Sequence, residues 1–343
     1  MKLNSGSPFR GATLKRVKIF LGGCGLKYDE RVEYSVCLAE DDEIAATGSL
    51  DGSVLKCVAV SPKHQGEGLA AVVVSELVNE AGRRGRFHLF VYTKPENEEL
   101  FGEFGFYTVA KTGQVLLMEN KKHGVQEFTA SLKERRGRLA SVEKTGAIVV
   151  NCNPFTLGHL YLIEAAAKQC GLLYIFVVSE NKSRFPAETR LEFVRLGTSH
   201  IPNVRICTTG PYMVSAVTFP DYFLKDSPGA VSPQTLNTEL DLAIFAGCFA
   251  GPLGIGRRYV GDEPVDEVTA VYNKQMKEIL PSFGIEVIEI KRLEDSGGAV
   301  SASRVRRLLD RQNFEAVRAL VPEAVFEYLL KNRNGEQNEK SFS

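Results

Sequence analysis

Few folds accept a continuous apolar strand that passes through a tight polar turn straight into a helix, and residues 147–167, AIVVNCNPFTLGHLYLIEAAA, form such a stretch. Residues 147–150 read as a buried parallel strand, apolar on both faces. Asn151-Cys152-Asn153-Pro154 breaks it, since the proline removes a donor and biases the residue before it away from helix. Thr156-Leu157-Gly158-His159 follows, and Leu160, Ile163, Ala166 and Ala167 then recur at helical spacing. A helix start at the end of such a strand attracts anions, because its first backbone N–H groups have no partner within the helix. Gly158 lets a ligand approach the backbone closely, and His159 offers a hydrogen-bond donor to a phosphate oxygen. The same residues also suit a plain βα turn with a surface histidine.

Two later segments bear on that choice. Asn181-Lys182-Ser183-Arg184, continuing to Arg190, comes after a second apolar strand at 173–178 and places cations where it ends. Val300-Ser301-Ala302-Ser303-Arg304-Val305-Arg306 opens a late helix with Ser301 or Ser303 as its cap. In this order the three segments resemble the nucleotidyltransferases that carry His-x-Gly-His early and Ile-Ser-x-Thr-x-x-Arg late. Thr156 stands here for the first histidine and Ser303 for the late threonine.

A chain of 343 residues points to two domains. Its formal net charge is zero, so no overall field draws it to nucleic acid or to an anionic membrane. The seven cysteines are scattered without CxxC spacing, which argues for reduced thiols in a cytoplasm and against a disulfide frame or a zinc site. Residues 1–17 lack the apolar core of a secretory signal, and no apolar run nears the ~18 residues of a membrane span.

Strands dominate the first 120 residues. Residues 32–38 alternate and pair with 43–50 as a hairpin; 53–60 form another strand. A loop containing Gln65, Gly66 and Gly68 then leads into a helix carrying Leu69, Val72, Val73, Leu77 and Val78 on one side. A glycine-containing loop entering a helix start has the geometry of a pyrophosphate cradle, although most such turns only join elements. A strand at 87–92, a short helix from Asn97 to Gly105 and a strand at 115–118 complete the order. That order resembles the GNAT acetyltransferases over residues 17–119, with Gln65-x-x-Gly68-x-Ala70 matching their CoA loop. No general base stands out: Glu103, Tyr107 and His64 are candidates, each also readable as a surface or packing residue.

Residues 121–144 form a polar, partly basic linker, with a helix expected over 129–139. From 145 to 330 strands and helices alternate as a parallel α/β sheet requires, with strands at 147–150, 173–178, 204–208, 242–246 and 285–290. Ligands of such sheets sit at the carboxyl ends of the strands. The tail, 331–343, is expected to be disordered.

The nucleotidyltransferase resemblance implies attack of an oxyanion on the α-phosphorus of ATP, a step that needs alignment and charge neutralisation above all. His159, Lys182 and Arg306 would stabilise the negative charge; Arg190 would either add to this or pair Glu188 or Glu192 on its own helix. Thr156, Ser301 and Ser303 offer neutral donors. The backbone of Asn153, Pro154 and Phe155 would pack on the nucleotide, and Gly261 with Asp262 would mark a further strand end facing it. Mg²⁺ would be held mainly by phosphates, with no protein metal site expected.

A GNAT-like module followed by NCNPFTLGH, RYVGDEP, TAVYNKQM and SASRVR is similar to the citrate lyase ligases over nearly the whole chain. The expected fold class is therefore α/β: an N-terminal GNAT-like α+β domain at 1–120, then a Rossmann-like nucleotidyltransferase domain at 145–330. That resemblance implies an acid–thiol ligase using ATP and acetate to acetylate the prosthetic-group thiol of the acyl carrier subunit of citrate lyase, releasing AMP and pyrophosphate. The expected partners are acetate and that carrier, with no nucleic acid and no membrane. The alternatives are an adenylyltransferase making a CoA-type dinucleotide and a non-catalytic carrier-binding module.

Overall fold

The computed structural model describes residues 1–40, 43–134, 144–181, 183–215, 217–218, 233–263 and 267–340. The chain divides into two compact units, Met1–Phe128 with Ala216–Cys248, and Thr129–Ser215 with Phe249–Ser343. No helix among the described residues is long and apolar enough to cross a membrane.

The first unit is built on a seven-stranded sheet in the order β1-β2-β3-β4-β5-β7-β6. Its elements are β1 (Lys2–Gly6), α1 (Gly11–Gly23), β2 (Tyr34–Glu40), β3 (Glu43–Asp51), β4 (Val54–Val60), α2 (Leu69–Arg83), β5 (Phe90–Thr93), α3 (Glu98–Glu103), β6 (Tyr107–Lys111) and β7 (Leu116–Glu119). Helix α2 buries Val73 and Leu77 as expected, together with Val74 and Ala81, while Val72 is exposed. The N-terminal β1 and α1 escape the sequence reading. Only Val17 and Leu21 of α1 are buried, too few to show a period.

β4 and β5 lie parallel but pair only at Val54–Phe90 and Leu55–Val91. Beyond these pairs the two strands continue without a ladder. A cavity of about 770 Å³ lies there, lined by Ala59 of β4, Tyr92 of β5, the loop residues Gln65, Gly66 and Gly68, and Ala70 of α2.

One helix of this unit comes from late in the chain. α4 (Gly124–Glu134) is followed in sequence by β8 (Thr145–Val150), α5 (Leu157–Ala167), β9 (Leu172–Val177), α6 (Ala187–Thr198) and β10 (Val204–Thr208), and then by α7 (Pro233–Ile244). The strand expected at 242–246 is instead the end of α7 and a π-helical turn, Phe245–Ala250. Leu236, Leu240 and Ile244 are all buried. Their i, i+4 spacing shows why a short apolar run cannot separate strand from helix. Tyr92 Oη donates to Asn237 Oδ1 at 2.5 Å, tying α7 to β5.

The second unit holds a five-stranded sheet, β10-β9-β8-β11-β12, parallel throughout. The fifth strand is β11 (Ile255–Gly261), whose end falls where a further strand end was expected at Gly261 and Asp262. After the short α8 (Gly251–Leu253) and β11 come α9 (Glu267–Ile279), β12 (Glu286–Ile290), the two-residue strands β13 (Glu294–Asp295) and β14 (Gly298–Ala299), α10 (Ala302–Asp310), α11 (Phe314–Arg318) and α12 (Glu323–Lys340). α12 is assigned as far as Lys340. One core gathers Ile148 and Ile175 from neighbouring strands with Ile163, Phe193 and Val305 from helices α5, α6 and α10.

Strand order places the site. β8 and β9 build the sheet in one direction and β11 and β12 in the other, so the order reverses between β8 and β11. In open parallel sheets the ligand crevice lies at that reversal, outside the carboxyl ends of the strands.

Candidate active site

Asn151 leaves β8 at the reversal, and the chain turns at Cys152, which takes φ of 51°, before reaching the start of α5. Thr156 is the N-cap of α5 and forms a reciprocal capping box with His159. The Thr156 N–H donates to His159 Nδ1 at 3.0 Å, and the His159 N–H donates to Thr156 Oγ1 at 3.4 Å. Because Nδ1 accepts, the neutral ring carries its proton on Nε2. Desolvation, with a smaller push from the nearby Arg292 charge, lowers the imidazole from its usual 6.5 to about 4. At neutral pH His159 is therefore a neutral donor, and it acts on an anion by hydrogen bonding rather than by charge. Phe155, fully buried, stacks against the ring with centroids 5.7 Å apart.

The start of α5 is largely closed. Leu157 N–H goes to the Leu320 carbonyl at 2.9 Å, and His159 N–H goes to Thr156. Gly158 makes room for the chain itself: a Cβ there would stand 2.5 Å from the Val300 carbonyl oxygen. That contact sets the segment before α10 directly on the first turn of α5. Ser301 then caps α10, its Oγ accepting from Arg304 N–H at 3.3 Å. Two helix starts thus meet at one place.

Arg306 spans them. Its Nη1 donates to the Asn153 carbonyl, and its Nη2 donates to Ser303 Oγ at 3.0 Å. Asn153 is itself buried, with Oδ1 accepting from Phe185 N–H at 3.1 Å, and Pro154 and Phe155 are buried beside it. Arg190 serves another purpose than either sequence reading. It is fully buried, and its guanidinium donates to the carbonyls of Asn151, Val178, Glu180 and Phe185 and to Asn151 Oδ1. It binds together the ends of β8 and β9, and neither Glu188 nor Glu192 is among those partners. Lys182 lies outside the described residues.

Gly261 and Asp262 stand at the end of β11, as expected of a strand end, but their bonds run to the protein. Gly261 O accepts from Asn273 Nδ2 at 3.0 Å. Asp262 Oδ1 accepts from the Arg292 N–H at 2.7 Å, and the Asp262 carbonyl accepts from Arg292 Nε at 2.6 Å. Glu263 forms an ion pair with Arg292 Nη2. Arg292 is the residue that sequence reasoning missed. Its only signal is a basic pair, Lys291-Arg292, directly after the strand at 285–290. Among the described residues no group of three His, Cys, Asp or Glu is placed to hold a metal ion.

Gly66 and Gly68 take φ of 85° and 73°, in the left-handed region where glycine is favoured. Gly68 is the N-cap of α2 and provides no side-chain cap. His64 pairs with Glu67 at 3.1 Å and lines the cavity together with Glu103, and Tyr107 is 41% exposed.

The family model for the citrate lyase ligase C-terminal domain matches residues 145–329, and that for FR47-like proteins matches 40–114. The chain is 41% identical to the [citrate [pro-3S]-lyase] ligase of Escherichia coli K12 over 319 residues, covering 90% of this chain and 88% of that protein. The chain belongs to the citrate lyase ligase family. The Klebsiella pneumoniae ligase is 39% identical over 92% of both chains. A phosphopantetheine adenylyltransferase of Rhodopirellula baltica is 43% identical over 58 residues, 16% of this chain and 32% of that one. As a citrate lyase ligase the protein is an acid–thiol ligase, with a GNAT-like first unit and a Rossmann-like second unit.

Proposed function

We propose that this ligase activates citrate lyase by acetylating the thiol of its acyl carrier, using ATP and acetate, through an acetyl-adenylate made in the second unit. A carboxylate oxygen of acetate attacks the α-phosphorus and pyrophosphate departs. The carrier's thiolate then attacks the acetyl carbonyl, forming the thioester and expelling AMP. The observation that carries this reading is the meeting of the α5 and α10 starts beside the β8–β11 reversal, with His159 Nε2–H and Arg306 brought to it.

The roles follow from chemistry. His159 is a neutral donor to a phosphate oxygen, oriented by Thr156, and such a preorganised donor is worth most as charge develops. Arg306, with Ser303, places a fixed cation over the Asn153 carbonyl for the triphosphate, and Lys182 adds a second. Ser301 and Gly158 hold the two helix starts together. Asn153, Pro154 and Phe155 form the floor, and Arg190, Gly261 and Asp262 keep the strand ends in place. Mg²⁺ would be held mainly by the nucleotide phosphates and would supply charge neutralisation for the departing pyrophosphate.

The first unit takes the carrier's arm. Gln65, Gly66, Gly68 and Ala70 border a cavity at the uncapped start of α2, a fit for pyrophosphate followed by a pantetheine chain. We place the reaction in the cytoplasm, supported by seven cysteines that are all free thiols, and the neutral formal charge favours no nucleic-acid partner.

The test is pyrophosphate release from ATP with acetate, with phosphopantetheine, or with carrier alone. Acetate-dependent release supports this reading. Release only with phosphopantetheine makes the protein a dinucleotide-forming adenylyltransferase, and carrier binding with no ATP turnover makes it a binding module.

A further inference from the structure

We propose that Arg292 is a further anion-binding residue of this site: its guanidinium, clamped by Asp262 and Glu263, receives the carboxylate or phosphate oxygen that approaches His159. The inference rests on the adenylating reading of the second unit.

Position comes first. Arg292 lies two residues past the end of β12 and Asp262 one past the end of β11, on the side of a parallel sheet where ligands bind. Its neighbour Leu293 accepts the Val300 N–H at 3.0 Å, and the Val300 carbonyl sits over Gly158. Arg292 is thus joined through one short strand contact to the turn that carries His159. Its charge is close enough to oppose a proton on that imidazole.

The guanidinium is held from one side. Nε donates to the Asp262 carbonyl, Nη2 pairs with Glu263, and the backbone N–H is fixed by Asp262 Oδ1. Nη1 has no partner among the described residues. A fork fixed along one edge and open along the other suits a planar or tetrahedral oxyanion.

A surface ion pair explains this poorly. The Glu263 side chain is only 6% exposed, and a carboxylate taken out of water gains little net stability from an ion pair. A fixed cation beside the neutral histidine adds to the charge of Arg306, whose guanidinium is bonded to the Asn153 carbonyl and Ser303. Holding Arg292 in place while leaving Nη1 open supplies that cation.

The experiment compares full-length wild type with Arg292→Met and Arg292→Lys. ATP affinity is measured by calorimetry without acetate, and the acetate KM by pyrophosphate release at saturating ATP. The His159 titration is followed by NMR on histidine-labelled protein. Arg292→Met is expected to weaken one anion at least tenfold: a higher ATP Kd assigns the phosphate, a higher acetate KM at unchanged ATP Kd assigns the carboxylate. Arg292→Lys recovers part of the loss, and His159 titrates at higher pH once the neighbouring cation is gone. ATP Kd and acetate KM both within twofold of wild type, in folded Arg292→Met, overturn the proposal. If Arg292→Met does not fold, Arg292→Lys decides, with unchanged constants counting against it. A wild type that neither binds ATP nor releases pyrophosphate overturns the adenylating reading itself, and this inference with it.

Discussion

Thr156 and His159 cap one another: the backbone N–H of the first donates to the imidazole of the second, and the backbone N–H of the second donates to the hydroxyl of the first. One turn of helix thereby fixes both the tautomer and the aim of the ring. Thr156→Ala removes the hydroxyl cap and is expected to lower stability by about 1 kcal/mol, the usual cost of losing such a cap. Thr156→Ser restores it. Chemical denaturation of the two variants checks this.

His159→Ala should reduce acetate-dependent pyrophosphate release by about 100-fold, the scale of losing a preorganised donor. ATP binding should weaken less, because the donor acts chiefly as charge develops in the transition state. A variant within threefold of wild type would remove His159 from the reaction.

The lowered imidazole also sets a pH dependence. Folding holds His159 near 4, below its unfolded value of 6.5, so the unfolded chain takes up the proton first as pH falls. Its contribution is fully present above about 6.5 and is lost on the way down through 4, ~3 kcal/mol over that span. His159→Gln should flatten this part of the stability profile between pH 7 and pH 4. Denaturant midpoints of both proteins across that range give the comparison, and parallel profiles would contradict it.

Arg190 and Arg306 should part company. Arg190→Lys cannot reproduce a fork spread over four carbonyls and is expected to lower stability by about 3 kcal/mol or more. Its remaining activity should follow the folded fraction. Arg306→Lys should leave Tm within a few degrees while reducing turnover. Thermal melts read beside activity at a temperature where both are folded separate the two roles.

For the first unit, Gly68→Val and Gly85→Val make a matched pair. Both positions take positive φ, 73° and 72°, so both substitutions carry similar backbone strain of about 1–2 kcal/mol. Only Gly68 borders the cavity. Gly68→Val should raise the carrier concentration needed for thiol acetylation while leaving pyrophosphate release intact, and Gly85→Val should change neither. Equal carrier dependence in the two variants would take the cavity out of the mechanism.

Much of this was written in short-range patterns. The strand–turn–helix at 147–167, the serine cap at 301 and the loop into α2 are each defined by residues within a few positions of one another. Turn chemistry, capping and helical period act at that range, so the sequence displays them. The same patterns failed at 242–246, where five apolar residues fit two periods and the tertiary partners of Leu236, Leu240 and Ile244 selected helix. Long-range partners lie outside such reading. Gly158 is small because Val300 arrives from more than a hundred residues away, Arg190 is buried because the ends of two strands converge on it, and Arg292 joins the site because β12 lies beside β11. Strand order decides which side chains share a crevice. It follows from the packing of both sheet faces at once, a balance that no single stretch of the chain contains.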